Sequence, residues 1–550
     1  MNIDLDRFTS RRSNTIANGG MVATSQPLAA QAGLSILQDG GNAFDASVAT
    51  AAALNVVEPT STGLGGDVFA LYRTANGEVG AMRSCGHAPQ GATIDTVRAA
   101  LDGDPAISTY YPNRPVDEHT SREDLPMPFL GPHAITVPGT ARGWEATIEE
   151  LGTLSLADVL EPAIHYAVDG YPVSEVIAHA WKSAESLFTD PYAREAYLFD
   201  GSAPDTGQTV RLPDLGHSLQ QIADRGADVV YEGAIADAIV DTVQSHGGVL
   251  DHDDLATFEP EFPDPISSSY RGVDIFQLPP NNQGMITLEA LNIAEELDIG
   301  HREFDDPARL HGLIEATKLA FVDGHHYIAD PEFEPSPPLH SKEYARNRSQ
   351  TITDRSMTNP TIGDPFTHGE DADTVLLTVA DDAGNVVSYI NSRFAGFGSG
   401  LVAEGTGIAL QNRGASFSLD SEHPNTLEPG KRPFHTLIPA IARFDEDEWA
   451  AFGTMGGFMQ PQSHVQILTN MIDCGMSPQA ALDAPRWRYQ ADGTVAVEER
   501  LPNLVNLARR GHGIQIEAPA AFGGAQFVQR QGETLIGATE PRKDGAAVGF

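Results

Sequence analysis

Basic residues, cysteines and long apolar runs are what this chain has least of. Lys and Arg number 34 against 76 Asp and Glu, a formal net charge of −42 spread along the whole length with no acidic tail. Such a surface repels phosphate backbones and anionic headgroups, so neither nucleic acid nor membrane is expected as a partner. Its self-repulsion is tolerable where salt screens it, which points to a high-salt organism. The two cysteines, Cys85 and Cys474, form neither a CxxC pair nor a zinc pattern, and unpaired thiols in a reducing compartment are the simple expectation. No run approaches about 18 apolar residues, and the opening MNIDLDRFTSRRSNTIANGG has no apolar core of signal-peptide length. A cytoplasmic protein is expected.

Further absences narrow the chemistry. There is no GxSxG elbow; Ser399, in GFGSGLV, reads as part of a flexible loop. The glycine turn Thr62-Gly63-Leu64-Gly65-Gly66-Asp67 opens into a strand, whereas a phosphate-cradling turn opens into a helix, so no nucleotide is called for. A tight turn, beside an active site or merely tight, is the better reading. His325 and His326 are adjacent near Asp323 and Asp330, with no HExxH or comparable spacing, and no metal site is expected. No cofactor of any kind is implied.

What is present is the composition of a large enzyme. At 550 residues, 41% hydrophobic, the chain can bury a sizeable core, and length alone allows several domains. Ser25 is a candidate N-cap for a helix with Pro27 in its first turn, stopped at Gly40-Gly41. A very Ala-rich helix follows over 43–54. Residues 133–139 read as a strand running into a turn. Helices are expected over 141–151, 156–170 and 285–297. An amphipathic one starts at Asp306-Pro307 and continues to Phe321, with Leu310, Leu313, Ile314, Thr317 and Phe321 on one face. Residues 331–372 form an irregular, exposed connector. Thr436–Phe444 reads as a strand, and a helix starts near Pro461.

At the end of the connector stands DTVLLTVAD, 373–381, a short apolar and β-branched run that reads as a buried strand. The turn Asp382-Ala383-Gly384-Asn385 leads into a second run from Val386. One reading is a buried hairpin and no more. The other is that the Asp373–Thr374 bond is cut, so that Thr374 becomes an N-terminus whose freed amine, of pKa near ~8, can take the hydroxyl proton.

Several longer passages go together. They are GGNAFDA within the Pro27–Pro59 helices, TGLGGDVF, LHGLIEATKLAFVDGHHYIADP and DTVLLTVADDAGNVVS. GKRPFHTLIPAI and GTMGGFMQPQSHVQILTNMIDCGMSPQAALDAPRW complete the set. From about Gly20 to Phe550 the chain resembles the γ-glutamyltranspeptidase family of self-cleaving N-terminal-nucleophile hydrolases. The resemblance implies an α/β (α+β) fold, a four-layer αββα sandwich made as one precursor. It also implies a large subunit, 1–373, and a small one, 374–550, that remain together as one unit. Thr374 is then the nucleophile in both cleavage at Asp373–Thr374 and turnover. Ser392 falls where the family places a threonine supporting the nucleophile's amine, and Gly456 and Gly457 resemble its oxyanion hole.

The substrate pocket departs from the family's best-known members. Their arginine before an Ala-Pro pair is missing here, where Ala88-Pro89 follows Cys85-Gly86-His87. Their two serines are replaced by His435 and Thr436. The asparagine and acidic residue that hold the substrate ammonium become Phe394 and Ser416. Arg413 would repel an ammonium; with His435 and Thr436 it could instead hold a carboxylate. Arg413 also reads as a surface or subunit-contact residue.

Three functions follow. The first is hydrolysis or acyl transfer on a γ-glutamyl, glutathione-like amide. The second is action on a different small carboxylated amide, as in the family's oxamate amidohydrolase and acylase branches. The third is a catalytically silent scaffold. The implied partners are a small-molecule amide, water or an amine acceptor, and the chain's own two subunits, with a homodimer left open.

Overall fold

The computed structural model describes residues 12–102, 107–112, 116, 120–121, 125–358, 360 and 374–550. Side-chain alternation along the strands dictates the architecture. On the Val375–Asp381 strand, Val375, Leu377 and Val379 enter one apolar cluster, while Leu376 and Ala380 enter another. On the Glu448–Met455 strand, Ala450 and Phe452 face helices, while Trp449 and Ala451 join Leu376 and Ala380. Period-two alternation buried on both sides means two sheets face to face, each with helices on its outer face. The result is a four-layer αββα sandwich.

Both central sheets are antiparallel. One runs, edge to edge, Ala546–Gly549, Gly20–Thr24, Val375–Asp381, Val386–Ser392, Asp67–Arg73, Val79–Ser84. The other runs Thr15–Ala17, Thr534–Thr539, Gly524–Gln531, Glu448–Met455, Ala440–Asp445, Val273–Gln277, Ile266–Tyr270. Strands from before and after residue 374 pair with one another in both sheets, so the two segments have a single core. Each fully buried Leu, Val or Phe between the sheets contributes about 1.5–3 kcal/mol of burial.

The helix Ala43–Val57 covers the six-stranded sheet and is buried at all fifteen positions. Its alanines let it lie between that sheet and the Pro27–Gln38 and Leu156–Asp169 helices. It starts at a reciprocal cap in which Asn42 takes Asp45 N–H and Asp45 takes Asn42 N–H. The other outer layer consists of Gly284–Glu296, Pro307–Tyr327 and Met459–Ile472.

Five expectations are corrected. Gln26, not Ser25, caps the first helix; the Ser25 hydroxyl instead donates to the buried Glu58 carboxylate at 2.5 Å. Residues 133–139 form no strand: a short turn, Pro132–Ala134, is followed by chain without a ladder partner. The helix from Pro307 continues to Tyr327 and is enclosed on every side, because its polar face meets partners of its own, as in Glu315–Lys318 and Asp323–Arg348. Strand pairing expected from Thr436 starts only at Ala440, since Pro439 has no N–H to give and Ile438 N–H goes to the Gln460 side chain. Ser399 is also buried, its hydroxyl donating to Leu410 O at 2.9 Å, so its turn is packed and not loose.

The glycine turn is a matter of close approach. A Cβ on Gly66 would stand 2.2 Å from the carbonyl oxygen of Ser392, and one on Gly65 2.2 Å from that of Ala409. Neither neighbour is a side chain that can swing away. Gly66→Ala is therefore expected to lower unfolding free energy by about 1–3 kcal/mol. Urea denaturation checks this; an unchanged midpoint would mean the strand end is not held where it stands.

Candidate active site

Thr374 is fully buried at the head of its strand. In the hairpin Val375 pairs with Asn391, so the next step brings Thr374 opposite Ser392. The Thr374 hydroxyl donates to Ser392 Oγ at 3.2 Å, and Ser392 Oγ also accepts Phe394 N–H at 2.9 Å. Asp373, on the other side of the expected scissile bond, lies outside the described residues.

The second sheet delivers the glycine pair to the same end. Ser388, opposite Thr378, donates its hydroxyl to Phe452 O, while a Cβ on Gly453 would touch Leu376. One step along the Glu448–Met455 strand thus moves from the level of Thr378 to that of Leu376. The strand's continuation, Gly456-Gly457, accordingly lies at the Thr374 end. Both glycines have left-handed φ, +106° and +52°, which bulkier residues disfavour. Their carbonyls accept Met459 and Gln460 N–H at the start of the Met459–Ile472 helix. Among the described residues no backbone carbonyl takes the N–H of either glycine.

Beside these lies a buried polar ring. Arg413 is fully buried, which excludes the surface reading. Its Nη1 donates to Thr436 Oγ1 at 2.8 Å, its guanidinium lies over the Phe394 ring at 4.5 Å, and its Nε is 3.9 Å from Asp67 Oδ2. Among the described residues Nε and Nη2 have no hydrogen-bond acceptor. Burial lowers the Arg413 pKa to about 10, and Asp67 works against that, so the group stays charged at neutral pH.

Asp67 Oδ1 accepts Gln411 Nε2–H at 3.0 Å and Gly86 N–H at 3.3 Å; Oδ2 faces His435 Nε2 at 3.0 Å. His435 Nδ1 accepts Leu437 N–H, so Nε2 carries the proton and donates to Asp67. Burial, followed by the charge of Arg413, holds His435 well below its usual pKa, so this is a neutral donor and not a histidinium ion pair. The Asp67 pKa is raised to about 7: burial wins over Arg413, Gln411 and the backbone donors.

Most residues singled out from sequence therefore connect. Thr374, Ser392, Phe394, Arg413 and Thr436 form one chain of contacts, and Gln283 extends it by donating to Thr436 O and Gly457 O at 2.8 and 2.9 Å. Phe394 has φ of +80°, a conformation that bulky residues seldom adopt, held by its N–H bond and by the packed ring. Ser416 shares the Arg413–Ser416 turn, and its hydroxyl has no partner among the described residues. His435 has both ring nitrogens taken by the protein. His87 turns elsewhere, its ring 6.2 Å from Phe258 and beside Arg432, whose positive charge adds to burial in lowering its pKa.

Three contributors were not anticipated: Asp67, Gln411 and Gln283. Asp67 had a signal, a lone carboxylate between the glycine turn and the apolar run Val68–Leu71; the glutamines had none. One further cluster, His311, Glu315 and His512, brings three metal-type ligands within 4.8 Å. The Lys318 ammonium sits in it, 2.8 Å from Glu315 Oε1, and supplies the positive charge a cation would bring.

Comparison with known proteins agrees with this geometry. The sequence model of the gamma-glutamyltranspeptidase family matches residues 29–550. The glutathione hydrolase-like YwrD proenzyme of Bacillus subtilis is 38% identical over 98% of this chain and 99% of its own. The oxamate amidohydrolase proenzyme of Klebsiella pneumoniae is 34% identical over 98% and 100%. The crystal structure of cephalosporin acylase from Bacillus halodurans superposes with a TM-score of 0.89 at 42% identity, covering 100% of this chain and 99% of that one.

The raised Asp67 pKa makes a stability prediction with a definite sign. Between pH ~4 and 7 the folded state keeps a proton that the unfolded chain has released, so this group's contribution is full below pH ~4 and is lost as pH rises through about 7. Relative to Asp67→Asn, the wild type should lose roughly 1.4 kcal/mol per pH unit across that window. Chemical denaturation of both at pH 5, 6, 7 and 8 measures it; parallel curves would mean that Asp67 titrates normally.

Proposed function

The chain belongs to the γ-glutamyltranspeptidase family of amide hydrolases and acyltransferases, and on that premise we propose that it is a self-processing N-terminal-threonine amidohydrolase. Its substrate is a small amide whose acyl part ends in a carboxylate. The observation carrying the substrate assignment is the buried Arg413 guanidinium, with two N–H groups unused among the described residues, beside the chain that leads to Thr374.

In maturation the Thr374 hydroxyl attacks the Asp373 carbonyl carbon. An N→O acyl shift frees the Thr374 amine and leaves an ester, which water opens, giving subunits 1–373 and 374–550. In turnover the freed amine takes the hydroxyl proton, and Oγ1 attacks the substrate amide carbon. The proton passes to the departing nitrogen, the acyl group stays on Thr374, and water or an acceptor amine removes it. Ser392 holds Oγ1 on its line of attack. The Gly456 and Gly457 N–H groups receive the oxyanion; a donor of this kind is typically worth about 3 kcal/mol.

Arg413 and the Thr436 hydroxyl face the far end of the substrate. A guanidinium with free N–H groups suits a carboxylate, in a bidentate pair where both can reach. The same guanidinium repels the ammonium of a γ-glutamyl head group, and Phe394 offers that ammonium no acceptor. His435 and Gln411 act behind the pocket, orienting Asp67, which in turn holds Arg413. The names of the oxamate amidohydrolase and cephalosporin acylase relatives are in keeping with a carboxylated amide.

Thr374→Ala should remain one band of 58.7 kDa on a denaturing gel and be inactive. Wild type should give two bands, the smaller beginning Thr-Val-Leu-Leu. Activity in that variant would remove Thr374 as the nucleophile, and a wild type that never splits would leave the scaffold reading. Glutaryl anilide should be cleaved faster than γ-glutamyl anilide, and Arg413→Ala should raise the KM for glutaryl anilide roughly 10- to 100-fold while sparing pentanoyl anilide. Equal effects on both would end the role of Arg413 as acid anchor.

A further inference from the structure

Arg413 already has a carboxylate neighbour, and the two do not use each other fully. Asp67 Oδ2 stands 3.9 Å from Nε, close enough to compensate the charge yet too far for a hydrogen bond. Both groups are fully buried. Every hydrogen-bond donor on Asp67 is aimed at an ionised carboxylate: Gln411 and Gly86 at Oδ1, His435 at Oδ2. A substrate carboxylate docking on Nε and Nη2 would set two buried anions against one guanidinium, and like charges at such range do not both persist in low dielectric.

We propose that Asp67 is a specificity-determining residue of the site: it compensates Arg413 while the pocket is empty, and takes up one proton from solvent when a substrate carboxylate docks on Arg413. Protonated at Oδ2, it can donate to the incoming carboxylate, so that acid and anion share the guanidinium. A neutral amide brings no second charge and draws no proton. The inference rests on the reading of Arg413 as the acid anchor.

The surroundings leave Asp67 as the group that answers. Arg413 stays charged, its pKa near 10. His435 is wired as a neutral donor and burial opposes its protonation. The Cys85 thiol is pushed to about 12 by burial and then by Asp67 itself. The Tyr231 phenol is raised by burial, with Asp67 adding to it. Arg83, which donates to Pro280 O and pairs with Glu261, adds positive charge near Cys85 and His435. Among these side chains Asp67, at about 7, is the one close enough to neutrality to gain a proton on binding.

The test compares glutaryl anilide with pentanoyl anilide on the mature enzyme from pH 6 to 9; the ratio of their KM values cancels titration of the Thr374 amine, which both substrates share. The ratio of the acid's KM to the neutral amide's should rise about tenfold per pH unit above 7.5, the slope of one linked proton. Calorimetry on wild type at pH 8, in buffers of different ionisation enthalpy, should report an uptake for glutarate that exceeds the uptake for pentanoate by close to one proton. Asp67→Asn should flatten the ratio, and since that variant can fail to fold, the calorimetry decides without it. A flat wild-type ratio together with no excess proton uptake for glutarate over pentanoate overturns the proposal. If Arg413→Ala still penalises only the acid, the anchor reading survives that failure; if it penalises both substrates equally, the anchor reading has failed as well.

Discussion

The register of one hairpin fixes the site. Val375 pairs with Asn391 in the middle of a six-stranded sheet buried on both faces, and a one-residue slip would exchange its two apolar faces. The cores on the two faces forbid that slip. Thr374 is therefore held opposite Ser392 by the same apolar residues that hold the sandwich together. Across the inter-sheet core, the Leu376–Gly453 contact and the Ser388–Phe452 hydrogen bond align the second sheet, so that its glycine turn emerges at the same end. A candidate nucleophilic oxygen and a candidate pair of oxyanion donors are positioned by packing, with no loop needed to bring them together.

Desolvation governs the chemistry next to it. An arginine and an aspartate taken out of water are each costly, and here the geometry stops short of a bidentate pair that would offset the cost in full. Asp67 spreads its acceptor capacity over three other donors, and Arg413 keeps donors in reserve. Rigid neighbours make this arrangement persist: a backbone carbonyl against Gly66, a histidine fixed in one tautomer by Leu437 N–H, and a phenylalanine held at positive φ under the guanidinium. Unsatisfied hydrogen-bonding capacity inside a protein is unfavourable unless something external completes it, and a bound carboxylate would complete this one.

Much of this was legible in the residues. The 375–390 hairpin, the Ala-rich helix and the glycine turn all follow from local pattern, because period and turn chemistry act over a few residues. Thr374, Ser392, Arg413 and Thr436 could be named from motif resemblance, and the structure brings them into one chain of contacts. What could not be read depends on distance in sequence: Asp67 meets His435 across 368 positions and Gln411 across 344. His435 looked like a ligand-binding side chain because its type and position permit that; only its two committed nitrogens make it an orienting one. The Pro307–Tyr327 helix misled for a similar reason. Its polar face suggested solvent, but partners from remote segments bury that face, so hydropathy alone could not set its surroundings or its end.

The charge balance completes the picture. The charged side chains taken inside nearly balance, Arg83, Arg309, Arg393, Arg413, Arg432 and Arg486 standing against Asp67, Glu289, Glu315, Asp323, Glu498 and Glu540 among others, so the net negative charge lies on the outer surface. The carboxylated substrate proposed above would approach through that field, which at physiological ionic strength is screened beyond about 8 Å. Selection for an acid would then not come from long-range steering, which acts against it. It would come from the last few ångström, where Arg413 is shielded from salt and water and where one carboxylate, Asp67, would set the terms on which a second could enter.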